Sequence, residues 1–394
     1  MILYILIILL IIMGSFYLSY YILMKKFSKL SYTRSKNLIE KPLISILVST
    51  FNEQKTISHK LKNLTEIKYP NYEYVFIDGG SNDKTVNIIK EFLKINNISA
   101  KVIEEKLRMG KAHSLNNAFK YCNGEIVVIT DADAIWDKDA LTNLVKSFDD
   151  ENVGAVTGKQ ILMNANQSFS TISESKYNYF YSLFREGESA MDSTPIFHGE
   201  IAGYRKNLIE YIEEDSMADD SELALKIRKK GYRTISEPSS VFFEFAPPDI
   251  RSAMHQKVRR AQGLIQLFWR QREFLFNRKF GRFGAIIFPA EFFMHIISPP
   301  LMVSILILFF SYTYLLNPLY FATFIISPIV LFFFPKIKNT SISKMIYTFI
   351  SYQLILFFAL LNQMLGRNQK KWKKITSTRD LFNNRAHEIV LKES

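Results

Sequence analysis

Ile126-Val127-Val128-Ile129-Thr130-Asp131-Ala132-Asp133 joins four consecutive β-branched apolar residues to two carboxylates. A short unbroken apolar run reads as a strand buried on both faces, as in a parallel sheet. Three similar runs precede it: Leu43-Ile44-Ser45-Ile46-Leu47-Val48, Tyr74-Val75-Phe76-Ile77 and Ala100-Lys101-Val102-Ile103. Residues 53–68, 83–96, 110–122 and 138–149 read as helices between or after them. This alternation predicts, over residues 42–250, an α/β domain with a Rossmann-like sheet covered by helices on both faces.

Ligands of such a sheet bind beyond the carboxyl ends of its strands, so the residues after each run matter most. They are polar throughout: Ser49-Thr50-Phe51-Asn52-Glu53, Asp78-Gly79-Gly80-Ser81-Asn82-Asp83, and Thr130 to Asp133. Asp78 alone also suits a turn or a helix cap. Asp131 and Asp133 can share one hard cation, and Mg or Mn held by them together with diphosphate oxygens fits the pattern. Lys111 follows Arg108-Met109-Gly110 and opens a helix, where it supplies a donor to an anion; a solvated lysine is the ordinary alternative.

Outside this domain the apolar residues come in long stretches. Residues 1–24 carry no charge and are long enough to cross a bilayer, and the segment lacks the basic start and cleavage site of a signal peptide. Lys25, Lys26, Lys29, Arg34 and Lys36 follow it, which places the next domain in the cytoplasm by the positive-inside rule. Residues 298–366 read as C-terminal transmembrane helices, roughly 298–316, 319–335 and 345–366, split by Asn317-Pro318 and by a charged interval. Residues 251–297, with Arg278, Lys279, Arg282, Glu291 and His295, read as amphipathic helices at the interface. Residues 367–394 form a basic tail expected in the cytoplasm. Three later spans would put that tail outside, so either one segment re-enters or 284–297 helps form another crossing.

The net charge of +13 suits nucleic acid, an anionic membrane surface or a phosphorylated substrate. Its basic clusters flank the apolar segments, which favours the lipid bilayer as partner; nucleic acid would leave the spans unexplained. Cys122 is the sole cysteine, which excludes an internal disulfide and a multi-cysteine metal site.

From about Leu43 to Gly263 these motifs resemble the family 2 glycosyltransferases with a GT-A fold, and among them the membrane-integral relatives of cellulose, chitin and hyaluronan synthases. Val48 to Glu53, containing Thr50, Asn52 and Glu53, looks like the first nucleotide-binding loop, and Asp78 the base-binding aspartate, with Gly79 where a second acid often stands. Gly110-Lys111-Ala112 with Leu115-Asn116 is similar to the diphosphate-binding GKxxALN element, and Asp131 with Asp133 to the metal-binding DxD. Phe197-His198-Gly199-Glu200 resembles the acceptor-site element, with Arg205 beyond it. Asp219-Asp220 resembles the motif that supplies the general base, which the resemblance assigns to Asp220. Gln256-Lys257-Val258-Arg259-Arg260 is similar to QxxRW, with Arg260 in place of the tryptophan. Trp372 to Arg379 resembles the element that closes over the nucleotide in some relatives.

The resemblance implies a nucleotide-sugar donor, a saccharide or lipid acceptor, and a single displacement that inverts the anomeric centre. Asp219, Asp220 and Glu222 also suit the acidic first turn of a helix 220–230. His198 is as compatible with a satisfied buried histidine as with an acceptor contact, and one of Arg259 and Arg260 could face lipid phosphates. Three readings stay open: a polysaccharide synthase, transfer of one sugar to a polyprenyl phosphate or other lipid, and a non-catalytic nucleotide-binding or transport protein.

Overall fold

The computed structural model describes residues 1–30, 41–323, 341–367 and 378–382. Its centre is an eight-stranded mixed sheet in the order β3-β2-β1-β4-β7-β6-β8-β5. The first four strands are β1 (Ile44–Thr50), β2 (Tyr72–Asp78), β3 (Ala100–Glu104) and β4 (Ile126–Asp131), all parallel, as their apolar runs predict. Alternate residues feed two separate cores. Ile44, Ile46, Val48, Tyr74, Phe76, Ile126 and Val128 pack on one face. Leu47, Val75, Ile77, Val127 and Ile129 pack on the other. A strand buried on both sides has no polar face, which is why these runs are continuous.

The helices α2 (Ile57–Thr65), α3 (Thr85–Ile95), α4 (Lys111–Phe119) and α5 (Ala140–Lys146) lie within the expected ranges. The sheet's second half is formed by β5 (Ile135–Trp136), β6 (Val153–Leu162), β7 (Ala202–Arg205) and β8 (Arg233–Glu244), with β7 antiparallel to both β4 and β6. Their apolar signal is diluted by Gly154, Gly158 and Lys159 in β6 and by Ser236 to Ser240 in β8. Two helices border this half, α6 (Phe169–Met191) and α7 (Asp219–Lys229).

Register aligns the strand ends that carry the polar residues. Thr50 stands opposite Asp78, and Ser49 opposite Asp131. Gly124, just before β4, permits the close approach to β1, because a Cβ there would lie 2.4 Å from the Ser45 backbone nitrogen.

A third core joins the N-terminal helix α1 (Ile2–Ser28), α6, α8 (Ile250–Arg270) and a long helix, Phe283–Leu316. This long helix differs from the expected boundary at 298, since it starts within the segment read as interfacial. Two wide π turns, Phe283–Ile287 and Phe293–Ile297, accompany its prolines without ending it. Glu291 and His295, whose charges suggested exposure to water, are each 1% exposed and 3.2 Å apart inside the protein. Residues 284–297 thus continue into the next apolar segment. Among the described residues, Ile2–Ser28 and Phe283–Leu316 are long and apolar enough to cross a membrane, and Thr348–Met364 is a shorter apolar helical stretch. Most of the segment read as the 319–335 span lies outside the described residues.

The contact of α1 with α6 is tight. Tyr20 Oη donates to Glu188 Oε1 at 2.6 Å. Gly187 faces the α1 backbone so closely that a Cβ would stand 2.4 Å from the Met24 carbonyl oxygen. Gly187→Val is expected to destabilise this joint by about 1–3 kcal/mol through overpacking. Thermal unfolding in detergent reads the loss as a lower melting temperature, with Gly14→Ala, where nothing lies within 4 Å, as the unaffected control.

Candidate active site

The carboxyl ends of β1 and β2 form the first wall of the cleft. Thr50 Oγ1 donates to Asp78 Oδ1 at 3.0 Å, and the Ser81 backbone N–H and hydroxyl donate to the same carboxylate at 2.7 and 2.6 Å. Asp78 is buried and accepts these three hydrogen bonds, so the loop after β2 is held in one shape. Asn52 has a left-handed φ of 54°, tolerated best by Asn and Gly. Its amide oxygen accepts from Asn82 N, which stitches the two loops together.

At the end of β4, Asp131 and Asp133 each meet a different cation. Lys111 Nζ, at the start of α4, lies 2.7 Å from Asp131 Oδ1 and 3.8 Å from Asp219 Oδ2. Burial alone lowers the Lys111 pKa, but Asp131 and Asp219 outweigh it and raise it above the ordinary value. Arg379 Nη2 lies 2.9 Å from Asp133 Oδ2 and 3.0 Å from Glu53 Oε1. This arginine arrives on residues 378–382, anchored by buried Phe382 against His59 and Phe245 and by a 2.6 Å ion pair between Lys55 and Asp380. Trp372 lies outside the described residues.

Asp219 and Asp220 open α7, facing the same space. A Cβ on Gly199 would stand 3.5 Å from Asp220 Oδ2 and 3.1 Å from Lys111 Nζ. Asp220 is pushed up to about 8, first by burial and next by Asp219, with Lys111 opposing. Arg259, on α8, sits in the field of Asp219, Asp131 and Asp220. Gln256 lies on the same helix, half-buried, one turn before Arg259 and Arg260. Lys111, Asp131, Asp133, Asp219, Asp220, Arg259 and Arg379 are therefore brought together at the carboxyl end of the sheet.

The remaining wall holds His198, Glu200 and Arg260. Arg260 reaches Glu244 at 3.3 Å, Glu174 at 3.6 Å and Glu200 at 3.8 Å. Arg205, in contrast, turns away and donates to the backbone carbonyls of Val153, Phe148 and Asp150. Sequence reasoning missed Glu174 and Glu244, which come from α6 and the end of β8 and carry no recognisable spacing. It also missed Lys60, wholly buried beneath β4, which donates to Thr130 Oγ1 at 2.7 Å and to the Ala134 carbonyl at 2.9 Å. Burial lowers Lys60 to about 7 against the pull of Asp131 and Asp133. Its place in the buried face of α2 was the available signal.

Residues 45–212 match the model of the family described as Glycosyl transferase family 2. They are a family 2 glycosyltransferase domain. The sheet has the GT-A arrangement, and a mannosyltransferase from Pyrobaculum calidifontis, solved with GDP-Man and Mn2+, superposes with a TM-score of 0.78 at 29% identity, over 93% of this chain and 100% of that one. The poly-beta-1,6-N-acetyl-D-glucosamine synthase of Staphylococcus epidermidis is 28% identical over 266 residues, 66% of this chain and 64% of the relative. The corresponding synthase of Staphylococcus aureus (strain COL) is 27% identical over 252 residues, 63% and 60% respectively. The chain thus matches less than two thirds of the length of these curated relatives.

The donor set of the glycosyltransferase domain suits a hard divalent cation. Among the described residues no three His, Cys, Asp or Glu side chains converge on one point. Asp131 and Asp133 offer two carboxylates, the complement a cation needs when phosphate oxygens supply the rest of its shell.

Asp220 also has a stability signature. Its carboxyl stays protonated in the fold until about pH 8, whereas the unfolded chain releases the proton near an ordinary aspartate pKa, so this group costs stability progressively as pH rises between those values. Asp220→Asn is expected to melt higher than the wild type at pH 8. The gap should shrink toward pH 4, read by thermal unfolding across that range without added nucleotide or metal.

Proposed function

We propose that this chain is a membrane-bound inverting glycosyltransferase that moves a sugar from a nucleotide-sugar donor to a saccharide acceptor, with its catalytic domain on the cytoplasmic face. The observation that carries this reading is the meeting of Asp131, Lys111, Asp219 and Asp220 around Gly199 on one rim of the sheet. It combines groups for a diphosphate with a carboxyl suited to proton transfer in one cleft.

In this reading Thr50, Asn52, Glu53 and Asp78 hold the nucleoside. Lys111, Gln256 and Arg259 face the diphosphate, and Arg379 covers it. A Mg or Mn ion held by Asp131 and Asp133 supplies charge neutralisation when bound. His198, Gly199, Glu200 and Arg260 line the acceptor side. Asp220, in its carboxylate form, takes the proton of the acceptor hydroxyl as that oxygen bonds to the anomeric carbon. The anomeric bond to the diphosphate breaks on the opposite side, and the nucleoside diphosphate leaves with the electron pair. Lys111 and Arg259 offset the charge that grows there.

The membrane part of the proposal rests on α1 and on Phe283–Leu316. Ile5, Ile8, Ile11, Leu18 and Ile22 are exposed on α1, an apolar surface too extensive for water and suited to lipid. Basic residues follow α1, which supports a cytoplasmic domain. The names of the curated relatives favour a polysaccharide as product over a single transfer.

Membranes carrying the chain are expected to transfer label from UDP-N-acetylglucosamine or GDP-mannose into saccharide in the presence of Mg or Mn. Asp220→Asn should lower this rate by about 100-fold or more. Retention of full activity in that variant would remove Asp220 as the base, and failure of every donor would favour a non-catalytic nucleotide-binding role.

A further inference from the structure

We infer that Lys60 is a positioning residue for the divalent cation: from the buried side of the sheet it clamps both ends of the turn that carries Asp131 and Asp133, and so presets the two carboxylates before a cation binds. This inference rests on the glycosyl-transfer reading above, in which those carboxylates hold Mg or Mn.

Lys60 lies on α2 with no exposed surface. Its ammonium donates to Thr130 Oγ1 at 2.7 Å and to the Ala134 carbonyl at 2.9 Å, the residues on either side of Asp131-Ala132-Asp133. The Trp136 ring covers it, with the centroid 4.5 Å from Nζ. Those two hydrogen-bond partners and the ring are neutral. Burying an ammonium among neutral groups is costly, and an apolar side chain from α2 would fill the same space without that cost. What a lysine supplies here is several donors on one compact head, which reach two points of a single turn at once. The anions whose field acts on it are Asp131 and Asp133.

The clamp has a direction. Ala132 and Ala134 are 2% and 0% exposed, whereas the side chains of Asp131 and Asp133 keep 29% and 31% of their surface. The turn is thus pinned on its buried side and offers its carboxylates on the other. Asn63, one turn after Lys60 on α2, extends the clamp: its amide donates to the Trp136 carbonyl and accepts from the Trp136 N–H, each at 2.8 Å. Because Thr130 Oγ1 accepts from Lys60, its own proton is directed to the Glu200 carbonyl at 2.8 Å, where Trp136 Nε1 also donates. Lys111 and Arg379 pair with the same two carboxylates on the cleft side, and so compete with a cation bound there. Lys60 bonds the flanking positions of the turn instead, so its contacts persist whether or not the cation is present.

The test is a Mn2+ titration of the full chain in detergent, read by electron paramagnetic resonance, with UDP and with GDP in parallel and Asp133→Asn as the control that loses the ion. Lys60→Met keeps most of the side chain's length and removes its charge and donors. It is expected to weaken Mn2+ binding about tenfold or more, the scale on which groups that orient metal ligands act. Without metal it should melt within about 4 °C of the wild type, because the cost of burying an ammonium is removed with its bonds. A merely structural lysine would give the reverse, a lower melting temperature with unchanged Mn2+ affinity. Unchanged or tighter Mn2+ binding by the folded variant would overturn this inference while leaving the metal role of Asp131 and Asp133 and glycosyl transfer intact. Hydrogen exchange of the wild type decides even if the variant does not fold. The segment 130–136 should be protected without metal and gain little when Mg2+ and nucleotide are added, and a segment that exchanges freely until then would overturn the inference. Failure of the wild type to bind Mn2+ with either nucleotide would remove the metal role of the two carboxylates and this inference together.

Discussion

The Lys111–Asp131 ion pair at 2.7 Å is the contact on which the rest of the cleft depends. It ties the start of α4 to the end of β4, and Lys111 also reaches toward Asp219 on α7. Three elements distant in sequence are held around one cation in a partly buried space, where attraction is less screened than in open water. Glu53 and Asp133 are joined in the same manner by Arg379, from the other end of the chain.

The helix α8 carries the site to the apolar helices. Gly263 allows its backbone to approach Met217, where a Cβ would lie 2.8 Å from the carbonyl oxygen, just ahead of Asp219 and Asp220. Gln266 reinforces the joint by accepting from Met217 N at 3.0 Å and donating to the Asp215 carbonyl at 3.1 Å. One turn earlier the same helix presents Arg259 and Arg260 to the cleft. Lys257 lies over the Tyr352 ring at 4.7 Å, which links this turn to the helix Ser341–Met364. The chemistry of the cleft and the packing of the apolar helices are therefore coupled through one rigid element.

Much of the catalytic half was legible in the residues. The strands β1 to β4 follow from their apolar runs because burial on both faces leaves no alternative to a parallel sheet core. Asp131, Asp133 and Lys111 follow from their places at a strand end and a helix start. The second half of the sheet was not legible, because β6 and β8 are interrupted by glycine and polar residues and owe their form to parallel pairing with each other. The long helix from Phe283 was obscured by Glu291 and His295, whose burial depends on a neighbouring helix.

The sequence by itself determined the parallel strand core, the polar rim at its carboxyl ends, the two carboxylates for a cation and the apolar segments, since each is written in local pattern and burial period. Only the tertiary structure decided the surroundings of Arg260, the pairing of Arg379 with Glu53 and Asp133, and the buried Lys60 beneath the rim. These are contacts between residues tens to hundreds of positions apart. No local period encodes them, because the charge a side chain feels is set by what folding brings within a few ångströms of it.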